Sequence, residues 1–155
     1  MTARDGARIR LATAKDLPRL VHLLDQLSLD APNEQPSPPL PAAYHAALND
    51  ILADGRQQLL VLEDGATVMG TLTLIIVPNL THQGRPYALV ENVVVEESRR
   101  GDGYGERLMQ RAIEEARRAG CYKLSLTSNK RRPEAHRFYR RLGLEATSEG
   151  FRIDL

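Results

Sequence analysis

Apolar residues recur at two periods along the chain, and these periods predict an alternation of strands and helices. Residues 8–12 alternate as a short strand does, and the leucine-rich stretch that follows has helical spacing. Thr13 and Asp16 at its start are typical of a capping box, with Asp in place of the usual Glu or Gln. The five prolines of residues 30–41 exclude a helix and predict a loop that could serve as a lid on the substrate side. Residues 42–54 predict the next helix.

A β region and a second helical region fill the rest of the chain. Asp64-Gly65 is a hairpin turn signal between two of the strands. No internal repeat and no linker interrupts the pattern, which predicts a single domain over residues 1–155. The further elements predicted are strands over 57–64, 67–77 and 87–97, a helix over 103–119, a strand over 121–128, a helix from Pro133 to Gly143, and closing strands over 144–148 and 151–154.

Composition limits the kind of protein this is. With 155 residues, 42% hydrophobic and 26% charged, the chain has the make-up of one globular domain. Aromatic residues make up 5% and Trp is absent, which argues against a nucleic-acid partner. The apolar stretch at 72–77 is too short to span a bilayer, and residues 1–16 lack the apolar core of a signal peptide. A single cysteine permits no internal disulfide, so we expect a cytoplasmic protein with no membrane partner.

Charge is unevenly distributed, although the net charge is only +1. Residues 99–141 hold 13 Lys and Arg against five Asp and Glu. Residues 20–55 contain no Lys or Arg but five acidic residues. Two interpretations stay open: solvated helix faces, or a bipolar molecule with one end for an anion and the other for a cation.

A glycine-rich loop lies between a β-branched run and a predicted helix. The pattern Arg100-x-x-Gly103-x-Gly105 leaves bare backbone at a helix N-terminus, which is typical of a site for a phosphate-bearing ligand. A dinucleotide fingerprint starting at Gly101 would need glycine where Glu106 stands, and no start in the loop fits the Walker spacing. The alternative is a tight turn that needs only positive φ.

Two separated motifs resemble those of the GCN5-related N-acetyltransferase (GNAT) superfamily. The run R-R-G-D-G-Y-G after E-N-V-V-V-E-E-S resembles that family's motif A, Q/R-x-x-G-x-G/A. Asn129 and the segment 133–144, P-E-A-H-R-F-Y-R-R-L-G-L, resemble its second motif. The resemblance implies an α/β (α+β) fold: a central mixed, mostly antiparallel twisted sheet of about seven strands flanked by about four helices.

The resemblance also implies acetyl-CoA as cosubstrate. The glycine loop would cradle the pyrophosphate, the strand before it would pair with the pantetheine arm, and Asn129 would bond the pantetheine or neighbouring backbone. His136 could line the cofactor side or lie on the helix surface. The basic residues 130–132 could meet the 3′-phosphate or be solvated. The residues so implied are Val93, Val94, Val95, Arg100, Gly101, Asp102, Gly103, Tyr104, Gly105, Glu106, Asn129, His136 and Tyr139.

Two side chains are candidates for the chemistry. Tyr139 is where the family usually places the tyrosine that protonates the CoA thiolate; its alternative is a core residue. Glu91 interrupts an apolar strand, and burial there would raise the pKa of a base; its alternative is an outward-facing residue. The amide near Val93 would stabilise the oxyanion. Asp102 and Glu106 depart from the usual pattern, since they bring negative charge to the pyrophosphate unless they point outward.

The acceptor is less well defined. E-N-V-V-V and G-C-Y-K are similar to the glucosamine-phosphate acetyltransferase branch, which implies a small-molecule acceptor and often a homodimer. The acidic residues 20–55 instead favour a cationic amine, such as a polyamine, an aminoglycoside, an amino acid amide or a peptide N-terminus. The four histidines and Cys121 lack metal-ligand spacing, so no metal is expected. A CoA-binding regulatory module without catalysis is the alternative from another class.

Overall fold

A computed structural model describes residues 6–155, which contain five strands and five helices. The chain divides into two compact units, Met1–Ser125 and Leu126–Leu155. Single 3-10 turns lie at Ala14–Asp16 and Glu97–Arg99. The elements are β1 (Ala7–Leu11), α1 (Leu17–Asp25), α2 (Ala42–Ala53), β2 (Gln57–Asp64), β3 (Thr67–Val77), α3 (Thr81–Gly84), β4 (Tyr87–Val95), α4 (Tyr104–Arg118) and β5 (Leu124–Ser125) in the first unit, and α5 (Pro133–Arg141) in the second.

The first unit is built on a five-stranded sheet in the order β1-β2-β3-β4-β5. All neighbouring strands are antiparallel except β4 and β5, which are parallel. The expectation of a mixed, mostly antiparallel sheet is therefore confirmed. The parallel ladder is short, with Ala88 opposite Leu124 and Leu89 opposite Ser125.

Helices cover both faces of this sheet because each face is apolar. On one face, Leu20 and Leu23 of α1 pack with Val61 and Val94, all fully or almost fully buried. On the other face, Leu108 of α4 approaches β3 at Gly70. A Cβ at Gly70 would lie 3.0 Å from Leu108 Cδ1 and 3.2 Å from the Val94 carbonyl oxygen, so glycine is what lets α4 pack this closely.

The strand count is lower than the sequence predicts. Residues 144–155 form no strand, and β5 spans two residues instead of the predicted 121–128. Phe151 and Ile153 keep the alternation of a strand, yet they are 94% and 82% exposed. A strand is stable only when a neighbouring edge takes up its main-chain groups, and in residues 6–155 no strand pairs with this segment. The prediction of two closing strands, which rested on alternation alone, is therefore wrong.

Candidate active site

A bulge interrupts the centre of β4. Thr73 lies opposite Glu91 and Thr71 opposite Val94, so one residue of β3 faces two residues of β4, Asn92 and Val93. Asn92 adopts φ 55°, in the left-handed region that Asn tolerates better than most residues. A bulge of this kind leaves a residue without a ladder partner and redirects the strand. The break falls at the strand that the sequence assigns to the cosubstrate.

The outer edge of β4 beyond Leu89 has no strand partner among the described residues. The amide of Ala88 donates to Lys123 on the β5 side at 2.9 Å, whereas the amide of Glu96 donates to Met69 on the β3 side at 2.7 Å. Successive residues of a strand direct their main-chain groups to opposite edges. Counting back from Glu96, the amides of Val93 and Val95 therefore point to the open edge, which can accept an extended ligand as an added strand.

The glycine loop begins where this edge ends. Arg100 Nε donates to the Val95 carbonyl oxygen at 3.2 Å, which places the guanidinium at the end of the open edge. Gly101 and Gly103 have φ of 91° and 83°, and Gly103 precedes the first turn of α4. The amides of that turn lack helical acceptors, and the helix dipole adds positive potential. Bare amides, a dipole and Arg100 together suit a pyrophosphate.

The two acidic residues of the loop are both engaged by neighbouring side chains. Arg99 Nε pairs with Asp102 Oδ2 at 2.7 Å, so an adjacent cation offsets the charge of Asp102. The exposed Glu106 accepts a hydrogen bond from Gln110 Nε2 at 3.1 Å, one turn along α4. Their negative charge is thus directed away from the bare amides of the loop or compensated.

Arg99 also ties the loop to the end of β2. Its Nη2 pairs with Asp64 Oδ2 at 3.0 Å and contacts the Tyr104 hydroxyl. That hydroxyl donates to Asp64 Oδ2 at 2.5 Å, and Tyr104 is 1% exposed. Burial and the hydrogen bond to Asp64 raise the pKa of Tyr104. Sequence analysis missed Arg99 and Asp64, and it assigned Tyr104 only a place in the loop.

The candidate base Glu91 differs from its expected environment. It is exposed, not partly buried. It directly precedes the bulge and lies opposite Thr73 in the ladder. The expectation that Glu91 is partly buried is therefore wrong, and solvent has direct access to its carboxylate.

Three candidate residues lie in the second unit. Asn129 Oδ1 accepts the Arg131 amide at 2.9 Å, and the Asn129 carbonyl oxygen lies 2.9 Å from His136 Nε2. Asn129 therefore bonds neighbouring backbone, one of its two expected roles. Tyr139 of α5 packs at 5.2 Å between ring centroids against Phe138. Burial raises the pKa of Tyr139, with Arg132 opposing the effect, so its phenol is protonated at neutral pH.

A cavity of about 110 Å³ lies beside the bulge, between the helices α1 and α2 and the strands β3 and β4. Its walls are Leu17, Leu20, Val21, Leu24, Tyr44, Ala47, Leu48, Ile51, Leu59, Thr71, Thr73 and Asn92. Within residues 6–155, no three His, Cys, Asp or Glu side chains cluster as a metal site would require. No helix in this range is long and apolar enough to cross a membrane.

Comparison with known proteins agrees with this geometry. The sequence model of the Acetyltransferase (GNAT) family matches residues 18–144. Glucosamine 6-phosphate N-acetyltransferase 1 from Oryza sativa subsp. japonica is 36% identical, over 90% of this chain and 81% of that protein. A transcriptional regulator from Bacillus halodurans C-125 has a TM-score of 0.89 and 37% identity, covering 96% of this chain and 99% of that one. An acetyltransferase from Trypanosoma brucei has a TM-score of 0.79 and 30% identity, covering 96% and 99%.

Proposed function

This chain belongs to the GNAT family and is an N-acetyltransferase, and on that premise we propose that it moves the acetyl group of acetyl-CoA to the primary amine of a small cationic acceptor by direct attack. The observation that carries the proposal is the unpaired, bulged edge of β4, which ends at the bare amides of the glycine loop. The family resemblance expected from the two sequence motifs is confirmed.

We assign the binding of acetyl-CoA to main-chain groups of the first unit. The amides of α4's first turn and the Arg100 side chain would hold the pyrophosphate. Val93 and Val95 would pair with the pantetheine arm along the open edge, as in the addition of a strand. Asn129 and His136 remain candidates for contacts to the cosubstrate from the second unit. Acetyl-CoA supplies an activated thioester; the chain binds it, orients it and moves protons.

Three groups of this chain carry the proposed chemistry. The Val93 amide donates to the thioester oxygen as negative charge develops there. Glu91, exposed to solvent, takes a proton through water from the ammonium of the acceptor, which leaves the neutral amine that attacks the thioester carbon. Tyr139 donates its phenolic proton to the leaving thiolate, a role supported by the burial that keeps it protonated.

The cationic acceptor is supported by the charges near the cavity. The buried Oδ1 of Asp25 accepts no hydrogen bond from the described residues, and residues 20–55 contain no Lys or Arg. The second candidate acceptor is glucosamine 6-phosphate, which the name of the 36% identical rice relative favours. Glucosamine 6-phosphate carries a phosphate, so it would need basic groups at the acceptor surface, where a cationic amine would need acidic ones.

The proposal is tested by release of free CoA thiol from acetyl-CoA in the presence of a panel of amines. We expect amine-dependent release, with mass spectrometry showing an acetylated amine. Tyr139→Phe should lower kcat by about 100-fold, in the range of a general acid, while the affinity for CoA stays within about twofold. Phe138→Leu, at the neighbouring position of the same helix, is the matched control. Equal loss of CoA binding in Tyr139→Phe would assign Tyr139 to packing instead.

A further inference from the structure

The cavity beside the bulge has a size suited to a small organic group. Its volume of about 110 Å³ is comparable to that of an engineered cavity of roughly 150 Å³ that holds a benzene ring. It touches the β4 bulge through Asn92 and the β3 ladder through Thr73. The acceptor side of the proposed reaction centre therefore leads directly into this space.

The two ends of the cavity differ in polarity. The helices α1 and α2 supply leucines, Val21, Ala47, Ile51 and the ring of Tyr44, whereas the polar lining residues come from β3 and β4. Thr71 Oγ1 already donates to the Leu60 carbonyl oxygen at 2.7 Å. This leaves the Thr73 hydroxyl and the Asn92 amide to meet a polar group of the ligand, and no charged side chain lines the cavity.

We propose that this cavity receives the apolar body of the acceptor, so that the substrate class is a primary amine on a short alkyl or aromatic group that carries no anion. The inference rests on the proposed acetyl transfer and names its substrate class. The amine lies on the side of the cavity formed by β3 and β4, near Thr73, Asn92 and Glu91, where the thioester is held. The alkyl or aromatic body lies between α1 and α2.

Charge at the mouth of the cavity supports the exclusion of an anion. Tyr44 lines the cavity and its hydroxyl donates to Glu34 Oε2 at 2.6 Å. That hydrogen bond is the largest cause of a raised pKa of Tyr44, and the charge of Asp25 adds to it. A protonated amine is attracted to this potential, whereas a phosphate would lie near two carboxylates without a cation from residues 20–55.

The size of the cavity predicts a dependence on chain length. Each methylene that enters an apolar pocket should raise kcat/KM about fourfold, from the roughly 0.8 kcal/mol gained per buried CH₂. The gain should stop once the cavity is full, at about the size of phenethylamine. Ethanolamine, which has a hydroxyl in place of apolar bulk, should react more slowly than propylamine.

Two alanines of α2 offer a matched pair of variants. Ala46 and Ala47 are both exposed, but only Ala47 lines the cavity. Ala47→Leu should lower kcat/KM for phenethylamine at least tenfold relative to that for ethylamine, while the KM for acetyl-CoA is unchanged. Ala46→Leu should leave unchanged both the kcat/KM for phenethylamine relative to ethylamine and the KM for acetyl-CoA. Circular dichroism should show wild-type helicity in both variants.

The experiment measures initial rates of thiol release with ethylamine, propylamine, phenethylamine, ethanolamine and glucosamine 6-phosphate. Faster turnover of the apolar amines, with the preference for phenethylamine over ethylamine lost in Ala47→Leu alone, supports the inference. Turnover of glucosamine 6-phosphate or ethanolamine above the apolar amines overturns it and leaves the acetyl transfer intact, as does an equal effect of the two leucine variants. No thiol release with any amine would overturn the acetyl transfer and the inference together.

Discussion

Arg99 and Asp102 form an ion pair within the glycine loop, with 2.7 Å between Nε and Oδ2. The pair compensates an acidic residue that lies within the loop assigned to a pyrophosphate. The same guanidinium reaches Asp64 at 3.0 Å, so the loop is tied to the end of β2. The binding surface for the cosubstrate therefore depends on a residue adjacent to the motif as well as on the motif itself.

Arg99→Gln should raise the KM for acetyl-CoA by about tenfold, because Asp102 is left unpaired close to the ligand's phosphates. The effect should shrink as the salt concentration rises, since screening weakens the repulsion. We expect kcat to change by less than about twofold, because the loop is assigned to the pyrophosphate end of the cosubstrate and not to the reaction centre. Steady-state kinetics at low and high salt provide the measurement.

The double variant Arg99→Gln, Asp102→Asn separates charge from loop geometry. If the charge of Asp102 is responsible, the KM should return to within about threefold of wild type, as expected for coupled neighbours. Arg118→Gln, an exposed position in the last turn of α4, serves as the control. A double variant as impaired as Arg99→Gln would instead assign the loss to the broken tie with Asp64.

Gly70→Ala should lower the free energy of unfolding by about 1–3 kcal/mol, the range for an overpacked core. The added Cβ would approach Leu108 Cδ1 at 3.0 Å and the Val94 carbonyl oxygen at 3.2 Å, and the second is backbone that cannot turn away. Gly55→Ala is the matched control, with no atom within 4 Å of the added carbon. Urea denaturation should show Gly55→Ala equal to or more stable than wild type; equal losses in both would contradict the packing argument.

The ion pair between Arg10 and Asp16 predicts a loss of stability in acid. Arg10 binds both carboxylate oxygens, at 2.7 and 2.9 Å, and these bonds hold the pKa of the Asp16 carboxyl below its ordinary 3.8. Because the folded-state pKa is lowered, the pair stabilises the fold above the ordinary pKa. That contribution disappears as the pH falls through the folded-state pKa.

Asp16→Asn should therefore reduce the free energy of unfolding by about 1–3 kcal/mol at pH 7, as for a half-buried charge left with fewer partners. The difference between variant and wild type should narrow as the pH falls from the ordinary pKa of 3.8 through the lower folded-state pKa. Glu134→Gln is the control, because the Glu134 side chain is 92% exposed. Denaturation curves across this range check the sign, and a difference that widens in acid would contradict it.

Much of the fold follows from local patterns in the sequence. The capping box of Thr13 and Asp16 is present, residues 30–41 contain no helix, and the helix expected over 103–119 is α4. Each of these features depends on residues within a few positions of one another. Local sequence chemistry is sufficient to predict elements of this kind.

The failures have a common physical cause, since each depends on contacts distant in sequence. Asp64 and Tyr104 are 40 residues apart in the sequence. The residues near Tyr104 therefore do not indicate that its side chain is buried and bonds to a carboxylate. The exposure of Glu91 depends on what packs against β4 and is not revealed by its apolar neighbours in the sequence. The absent closing strands depend on a partner edge rather than on their own alternation.

The bulge at Asn92 also acts as a phase shift in the sheet. Before it, Ala88 and Val90 share a face with α4, as their partners Ile76 and Leu74 do. After it, Val95 lies on that face opposite Gly70, and Val94 packs beneath α1. Removing one of the two bulged residues would leave a regular ladder in which Val94 still lies opposite Thr71 and Val95 opposite Gly70, so the packing on both faces would be kept and only the bulge would be lost. The extra residue of β4 is therefore not required for packing on either side of it, and a deletion at Asn92 should impair catalysis more than stability.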